Sequence, residues 1–298
     1  MKIDYCLLDV FTTQRLAGNP LAVVLKADGL LDDQMQAIAN EFNLSETVFL
    51  MRPKSERHTA AVRIFTPVSE LPFAGHPTVG AAVVLGLQER LSAVRIEEKV
   101  GLVTCLIENA NKHSARARFA LPRLPEEAGK APDRQAAALA LGIEADDIGF
   151  ADHLRPAVYS AGVLYYLVPV RDAAVLRRLE PNGALWSHAF PMGDQSVYVF
   201  TETPTENGAD YAARMFWINR GLVEDPGTGS AAAALIGLLA KHAPFVDGQA
   251  EYMLRQGHEM GRPCRILLQL RKDNDVLTHG AIGGDAVIVG HGTLDLGD

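Results

Sequence analysis

Apolar positions recur along this chain with two different periods, and the alternation between them lays out its elements. Apolar runs bounded by turn residues predict strands at residues 1–10 and 20–25, around a Gly18-Asn19 turn, and again at 47–51 and 60–65. Between them Met35, Ile38, Ala39 and Phe42 fall at helical spacing, which predicts a helix over 32–42 with Asp32 as its N-cap. Residues 94–107 read as a hairpin turning near Lys99-Val-Gly101, and 116–121 alternates so that one face is wet. Proline, glycine and charge crowd 122–132, the composition of a linker or crossover. A short helix is expected at 136–141, stopped by Gly142. The order then repeats: a strand at 163–170, a helix at 172–179, and strands at 196–200, 212–218, 251–254 and 265–270. A last strand at 281–289 is placed to return to the first half.

One motif occurs twice, about half the chain apart. Phe73-Ala-Gly75-His76-Pro77-Thr78-Val-Gly80 opens onto Ala81-Ala-Val-Val-Leu85, and Asp225-Pro226-Gly227-Thr228-Gly229-Ser230 opens onto Ala231-Ala-Ala-Ala-Leu-Ile236. Each is a polar, glycine-bearing turn before a helix with no polar face, which is the signature of a buried helix. A buried helix presents unpaired N–H groups and the positive end of its dipole at its N-terminus. Two such ends suggest a carboxylate or similar anion held between two related halves. Each half sets one apolar helix against about six to eight strands, too many for a doubly wound sheet. The expected class is α+β, with curved, mostly antiparallel sheets around a central helix and a cleft between the halves. The domain division expected is 1–121 plus about 284–298, and 122–283.

Bulk properties narrow the function. The formal net charge of −8 argues against non-specific nucleic-acid binding. Asp4 and Asp9 interrupt what a signal peptide would need, and the longest apolar run, 231–240, is too short to span a bilayer. The three cysteines, Cys6, Cys105 and Cys264, lie far apart and offer no disulfide framework. A cytoplasmic protein with a small-molecule substrate, and without nucleic-acid or membrane partners, is the expectation.

Four side chains carry the candidate chemistry. His76 sits at a helix start, where the dipole would lower its pKa and favour the neutral ring; its alternative is a histidine that merely caps the turn. Asp225 and Ser230 flank the second turn; either alone reads as a helix cap, but the Pro-Gly-Thr-Gly between them also lets backbone approach a ligand closely. Glu46 stands at a helix-to-strand junction, usually a solvated place; in a dry cleft its pKa would rise and it could shuttle a proton. Other readings are weaker. Gly227-x-Gly229-x-x-Ala232 matches a dinucleotide fingerprint, but Glu224 and Asp225 would face the pyrophosphate, and no strand is expected to run into the turn across Pro226. His258-Glu259 lacks the second histidine of a zinc site and there is no CxxC pair, so no metal is expected. A serine hydrolase using Ser230 has the residue types but no GxSxG elbow. A non-catalytic carboxylate-binding protein is a third reading.

Several segments together resemble the phenazine biosynthesis PhzF-like isomerase family. They are Asp9-Val-Phe-Thr12, Gly18-Asn19-Pro20-Leu-Ala-Val-Val24, Ser45-Glu46-Thr47-Val-Phe49, Phe65-Thr66-Pro67 and Glu70-Leu71-Pro-Phe73-Ala-Gly75-His76-Pro77-Thr78. Arg214-Met215-Phe216, Glu224-Asp225-Pro226-x-Thr228-Gly229-Ser230-Ala231 and Gln256-Gly257-x-x-Met260-Gly261-Arg262-Pro263 extend the likeness nearly end to end. The resemblance implies a diaminopimelate epimerase-like fold of two pseudo-equivalent halves, a homodimer, and no cofactor. It implies Glu46 as the acid/base, with His76, Asp225 and Ser230 completing a polar cluster and Gly75, Pro77, Thr78, Gly227, Thr228 and Gly229 lining the substrate. Related epimerases of that fold place a cysteine at each loop; here neither loop has one, which disfavours a two-thiol racemase. The implied reaction moves a proton between carbons of a small carboxylate-bearing substrate, possibly cyclic and amino-acid-like.

Overall fold

The computed structural model describes residues 1–150, 154–205, 208–218, 221–242 and 247–297. They form two compact units, Met1–Pro122 with Ile282–Asp298, and Arg123–Ala281.

The first unit contains β1 (Lys2–Val10), β2 (Asn19–Val24), α1 (Asp32–Phe42), β3 (Thr47–Met51), β4 (Ala60–Phe65), β5 (Glu70–Leu71), α2 (Gly75–Glu89), β6 (Ala93–Glu98), β7 (Gly101–Glu108) and β8 (Ser114–Ala120). Its strands close a ring of eight, β1-β2-β3-β4-β6-β7-β8, completed by the end of the chain's last strand, which pairs with both β8 and β1. Inward positions alternate with wetter ones, as in β8, where Ala115, Ala117 and Phe119 are buried and the residues between them are half-buried. The ring encloses α2, whose residues 75–86 are all buried. A helix surrounded on all sides must be thin. A Cβ at Gly80 would lie 2.3 Å from a methyl of Leu21, and one at Gly86 would lie 2.9 Å from Ile107. This is why the helix is written in Gly, Ala and Val.

Helix α1 lies outside the ring and buries Met35, Ile38 and Ala39 against Val24, Phe49 and Phe65. Its N-cap is Leu31, whose N–H donates to the Gln34 side chain at 2.9 Å. The expectation for Asp32 is thereby corrected: it is the first helical residue, and its carboxylate accepts from Arg63 instead of capping.

The second unit contains β9 (Glu126–Glu127), α3 (Arg134–Leu141), β10 (Ala157–Ser160), β11 (Leu164–Pro169), α4 (Ala173–Arg177), α5 (Gly183–Ala189), β12 (Val197–Thr205), β13 (Gly208–Ile218), β14 (Leu222–Asp225), α6 (Gly229–His242), β15 (Gly248–Gln256) and β16 (Cys264–Asp273). The final strand, β17 (Val276–Asp295), starts in this unit and ends in the first. Helix α6 is the counterpart of α2, buried from Ala231 to Ala240 and packed against β9, β10, β11 and β16. The short helices α3, α4 and α5 cover the other side of the sheet around Trp186, Phe190 and Phe216.

The pairing pattern shows the duplication directly. β1–β2 is antiparallel, β2–β3 parallel, β3–β4 antiparallel, β4–β6 parallel and β6–β7 antiparallel. β10–β11, β11–β12, β12–β13, β13–β15 and β15–β16 repeat that series of senses in the same order. In each unit a short strand, β5 or β14, folds back antiparallel on its predecessor just before the buried helix.

Several elements differ from the sequence expectation. The expected linker contains β9, paired with β10. β10, four residues long, and α5, seven, had no sequence signal: neither is long enough to show a period. The helix expected over 172–179 is α4, shorter, with Asp172 as its N-cap accepting from the N–H groups of Ala174 and Val175. β17 runs for twenty residues, with a register shift opposite Leu7 and Leu8 that breaks its alternation.

Candidate active site

The first loop is held from below by an ion pair. Arg63, on β4, reaches Glu70 on β5 through two parallel bonds, Nε to Oε1 at 2.7 Å and Nη2 to Oε2 at 2.8 Å. Lys99 adds a third contact to Glu70, and together these cations hold the Glu70 carboxyl below the usual carboxylate range, the Arg63 bond contributing most. From this fixed point Leu71-Pro72-Phe73-Ala74 leads into α2. His76 is the second residue of the helix and only 3% exposed. Pro77 costs nothing there, because a first-turn N–H has no helical acceptor. Glu46 reaches the same place from α1, which Asn43 ends in the left-handed conformation at φ 50. Its Oε2 lies 3.3 Å from Nδ1 of His76, with the carboxylate side chain 18% exposed. The buried Asn19 amide nitrogen approaches the same Nδ1 at 3.5 Å. The Asn19 amide thus stands beside the same ring nitrogen that Glu46 approaches.

The second loop is held by the same kind of clamp. Arg214 on β13 grips Glu224 on β14 through Nε and Nη2, both at 2.9 Å. Each arginine also lies over a phenylalanine two positions on, Arg63 over Phe65 at 5.0 Å and Arg214 over Phe216 at 4.9 Å. The strand register then aligns Glu70-Leu71-Pro72 with Glu224-Asp225-Pro226, and Gly75-His76 with Gly229-Ser230. Asp225 thus takes the place of Leu71, and Ser230 that of His76. Asp225 accepts from the Thr228 hydroxyl, and the Ser230 hydroxyl meets the phenol of Tyr165 at 2.7 Å. Pro226, Gly227, Thr228 and Gly229 are buried; Asp225 and Ser230 are partly exposed.

Gln256, at the end of β15, ties the turn together. Its Oε1 accepts from the Thr228 N–H at 3.0 Å and from the Tyr198 hydroxyl at 2.9 Å; its Nε2 donates to the Asp225 carbonyl at 2.7 Å and the Thr228 hydroxyl at 3.0 Å. Gly257 follows in the left-handed conformation, φ +78, and a Cβ there would meet the Pro226 carbonyl at 2.5 Å. Only glycine lets this strand end so close beneath the turn. One sequence argument is corrected here: a strand, β14, does run straight into Pro226. It is antiparallel to its neighbour, unlike the parallel strand that opens a dinucleotide-binding unit.

Of the residues singled out in the sequence, Glu46, His76, Gly75, Pro77 and Thr78 are thus brought together at the start of α2. Asp225, Gly227, Thr228, Gly229 and Ser230 are gathered at the start of α6. Both hydrogen-bonding groups of Thr78 are turned inward: its hydroxyl lies 2.8 Å from the Ala74 carbonyl and its N–H donates to the same oxygen at 3.2 Å. Asn19 joins the first loop, and Tyr165, Gln256 and Tyr198 the second, through contacts that the structure alone shows. Tyr165 and Tyr198 sit in strands that read as plain core, and Asn19 read as a turn.

The three cysteines are all buried. Burial pushes the Cys6 thiol up to about 11 and raises Cys105 further, so both stay neutral thiols. Among the described residues no group of three or more His, Cys, Asp or Glu side chains is placed to hold a metal ion. None of their helices is long and apolar enough to cross a membrane. A cavity of about 890 Å³ opens near Leu85, Gln88 and Glu89, at the opposite end of α2 from His76, and contains none of these groups.

The family model for phenazine biosynthesis-like proteins matches residues 8–292. The chain belongs to the phenazine biosynthesis-like family. An uncharacterized isomerase of Mesorhizobium japonicum is 43% identical over 98% of each chain. The trans-2,3-dihydro-3-hydroxyanthranilate isomerase of Pseudomonas chlororaphis is 35% identical, over 98% of this chain and 99% of its own. The crystal structure of a Bacillus anthracis phenazine biosynthesis protein of the PhzF family superposes with a TM-score of 0.86 at 27% identity, covering 99% of this chain and all of that one. The fold is therefore the α+β, diaminopimelate epimerase-like one, with two pseudo-equivalent halves. Like its named relatives in the phenazine biosynthesis-like family, this protein is an isomerase.

Proposed function

We propose that this isomerase moves a proton between two carbons of a small carboxylate-bearing substrate without a cofactor, with Glu46 as general acid and base. The 3.3 Å approach of Glu46 to His76 at the mouth of a buried helix is the observation that carries the reading. Proton transfer needs a carboxyl held in place and partly shielded from water, and Glu46, half-buried against a mostly buried imidazole, meets that need. Glu46 as a carboxylate takes the proton from one carbon, leaving its electron pair in the substrate's conjugated system, and as the acid returns it to another carbon of that system, while His76 keeps the carboxyl oriented. The N-terminus of α2, with the positive end of the helix dipole, suits an anionic substrate group. Asp225 and Ser230, with Gly227, Thr228 and Gly229, bind the substrate's polar substituents. The relative from Pseudomonas chlororaphis acts on a dihydro-hydroxyanthranilate by its name, so cyclic, amino-substituted carboxylic acids are the compounds to screen first.

The experiment is solvent-deuterium incorporation. Wild type incubated in D₂O with such acids is expected to place deuterium on a substrate or product carbon. Glu46→Gln, keeping the same far-UV spectrum and melting point, is expected to lose turnover by about 10²-fold or more. Unchanged turnover in that variant would remove Glu46 from the mechanism.

A further inference from the structure

Glu98 ends β6 inside the first barrel, 9% exposed, and its partner is a residue of the His76 loop. The Thr78 hydroxyl lies 2.8 Å from Glu98 Oε1 and also 2.8 Å from the Ala74 carbonyl. A hydroxyl has one proton to give. Were Glu98 ionised, both neighbours would be acceptors and one contact would be unbonded. The other carboxyl oxygen, Oε2, is buried with no hydrogen-bond partner, which a full negative charge would not tolerate. A neutral acid resolves both facts. Its O–H donates to Thr78 Oγ1, and Thr78 in turn donates to Ala74, the residue that caps α2.

The second half of the molecule supplies an internal control. β4 pairs with β6 through Ala60↔Ile96 and Ala61↔Glu97, and β13 pairs with β15 through Tyr211↔Leu254 and Ala212↔Arg255. With Arg63 matched to Arg214, Glu98 falls on Gln256. Gln256 braces the second loop, donating to Thr228 and to the Asp225 carbonyl. The carboxamide is the uncharged isostere of a protonated glutamate, and it performs the same task at the equivalent position.

We infer that Glu98 is a positioning residue, held as a neutral carboxylic acid that braces the first turn of α2 through Thr78 and thereby fixes the His76 ring, as Gln256 braces the second loop. Burial supports this, raising the Glu98 acid from its ordinary 4.5 to about 8. Among the described residues the buried Cys105 thiol on β7 is the titratable group beside it; the other buried residues of β4, β6 and β7, from Ala60 and Ile64 to Val103 and Ile107, are apolar. Its sequence neighbours Glu97 and Lys99 are turned to His58 and Glu70. The link to catalysis rests on the proton-transfer reading above; the protonation state does not.

The folded protein holds this proton to higher pH than the unfolded chain, so stability should fall as pH rises from 4.5 to about 8 and then level off. Glu98→Gln cannot ionise. Its melting point is expected to gain steadily on wild type across that window and to run parallel above it, while Glu98→Ala, which has no carboxamide to brace Thr78, melts lower than Glu98→Gln at every pH. An infrared difference spectrum, wild type minus Glu98→Gln, is expected to show a protonated-carboxyl band at neutral pH that vanishes in alkali. Thr78→Val should shift the His76 imidazole resonances in NMR, and Glu98→Gln should leave them near wild type. A melting-point gap that does not change with pH, or an absent band, overturns the proposal. Imidazole resonances unmoved by Thr78→Val do so too. None of these readouts uses a substrate, so they fail or succeed independently of the assignment of Glu46.

Discussion

Arg214 and Glu224 face each other across the β13–β14 hairpin in a two-pronged ion pair, with both N–H···O distances at 2.9 Å and the side chains only 9% and 17% exposed. Arg214 also donates to the carbonyls of Leu176 and Leu179. Removing one partner of a buried pair leaves the other charge stranded, at a cost of about 3–5 kcal/mol. Arg214→Ala is expected to lose stability in that range in denaturant titrations. Because Glu224 adjoins Asp225, Arg214→Lys should weaken substrate binding more than it slows turnover. Arg63→Ala should cost less than Arg214→Ala, since Arg63 is 21% exposed and its second partner, Asp32, is 81% exposed.

The same clamp in the first half predicts an acid limb. Glu70 is ionised at lower pH in the folded protein than in the unfolded chain, chiefly through its bond to Arg63. The unfolded chain therefore binds more protons as pH falls below 4.5, and stability drops through that window. Equilibrium unfolding at stepped acid pH should show a shallower decline for Glu70→Gln, which starts lower at neutrality.

Ser230 meets a phenol, and a phenol is a poor base near neutrality. A fluorophosphonate probe is expected to leave Ser230 unlabelled. Ser230→Ala and Tyr165→Phe should each lose about 0.5–1.5 kcal/mol of ligand binding, the worth of one hydrogen bond. Stoichiometric labelling, measured by intact mass, would restore the serine-hydrolase reading.

Gly80 tests how tightly the first barrel closes on its helix. Alanine there places a methyl 2.3 Å from Leu21 and 3.2 Å from Val10, so Gly80→Ala should destabilise by about 1–2 kcal/mol despite alanine's better helix propensity. Gly29→Ala meets nothing within 4 Å and serves as the neutral control, expected within about 0.5 kcal/mol of wild type by thermal melting.

Much of this could be read from the residues. The strands at Thr47–Met51 and Ala60–Phe65 and both buried helices announce themselves, since a run of Ala and Val between glycines suits little but an enclosed helix. The two loops stood out for the same reason. The rest lay beyond local pattern. The paired clamps are hidden because Arg63 precedes Glu70 by seven residues whereas Arg214 precedes Glu224 by ten, the second hairpin being longer. The equivalence of Glu98 and Gln256 appears only through strand register, which no periodicity encodes. Asn19 and Tyr165 act through contacts to His76 and Ser230, 57 and 65 residues away in the chain.

β17 carries a last consequence, for the order in which this molecule can be assembled. The first barrel begins with β1, yet the strand that seals it beside β1 is residues 286–295, made only after every element of the other unit. During synthesis the Gly-Ala-Val helix α2 must wait in an open seven-stranded cup whose exposed edges, β1 and β8, invite wrong partners. Folding of the half that carries Glu46 thus waits until residues 286–295 have been made, and truncating the chain before residue 286 should leave that half unfolded, however intact its own first 122 residues are.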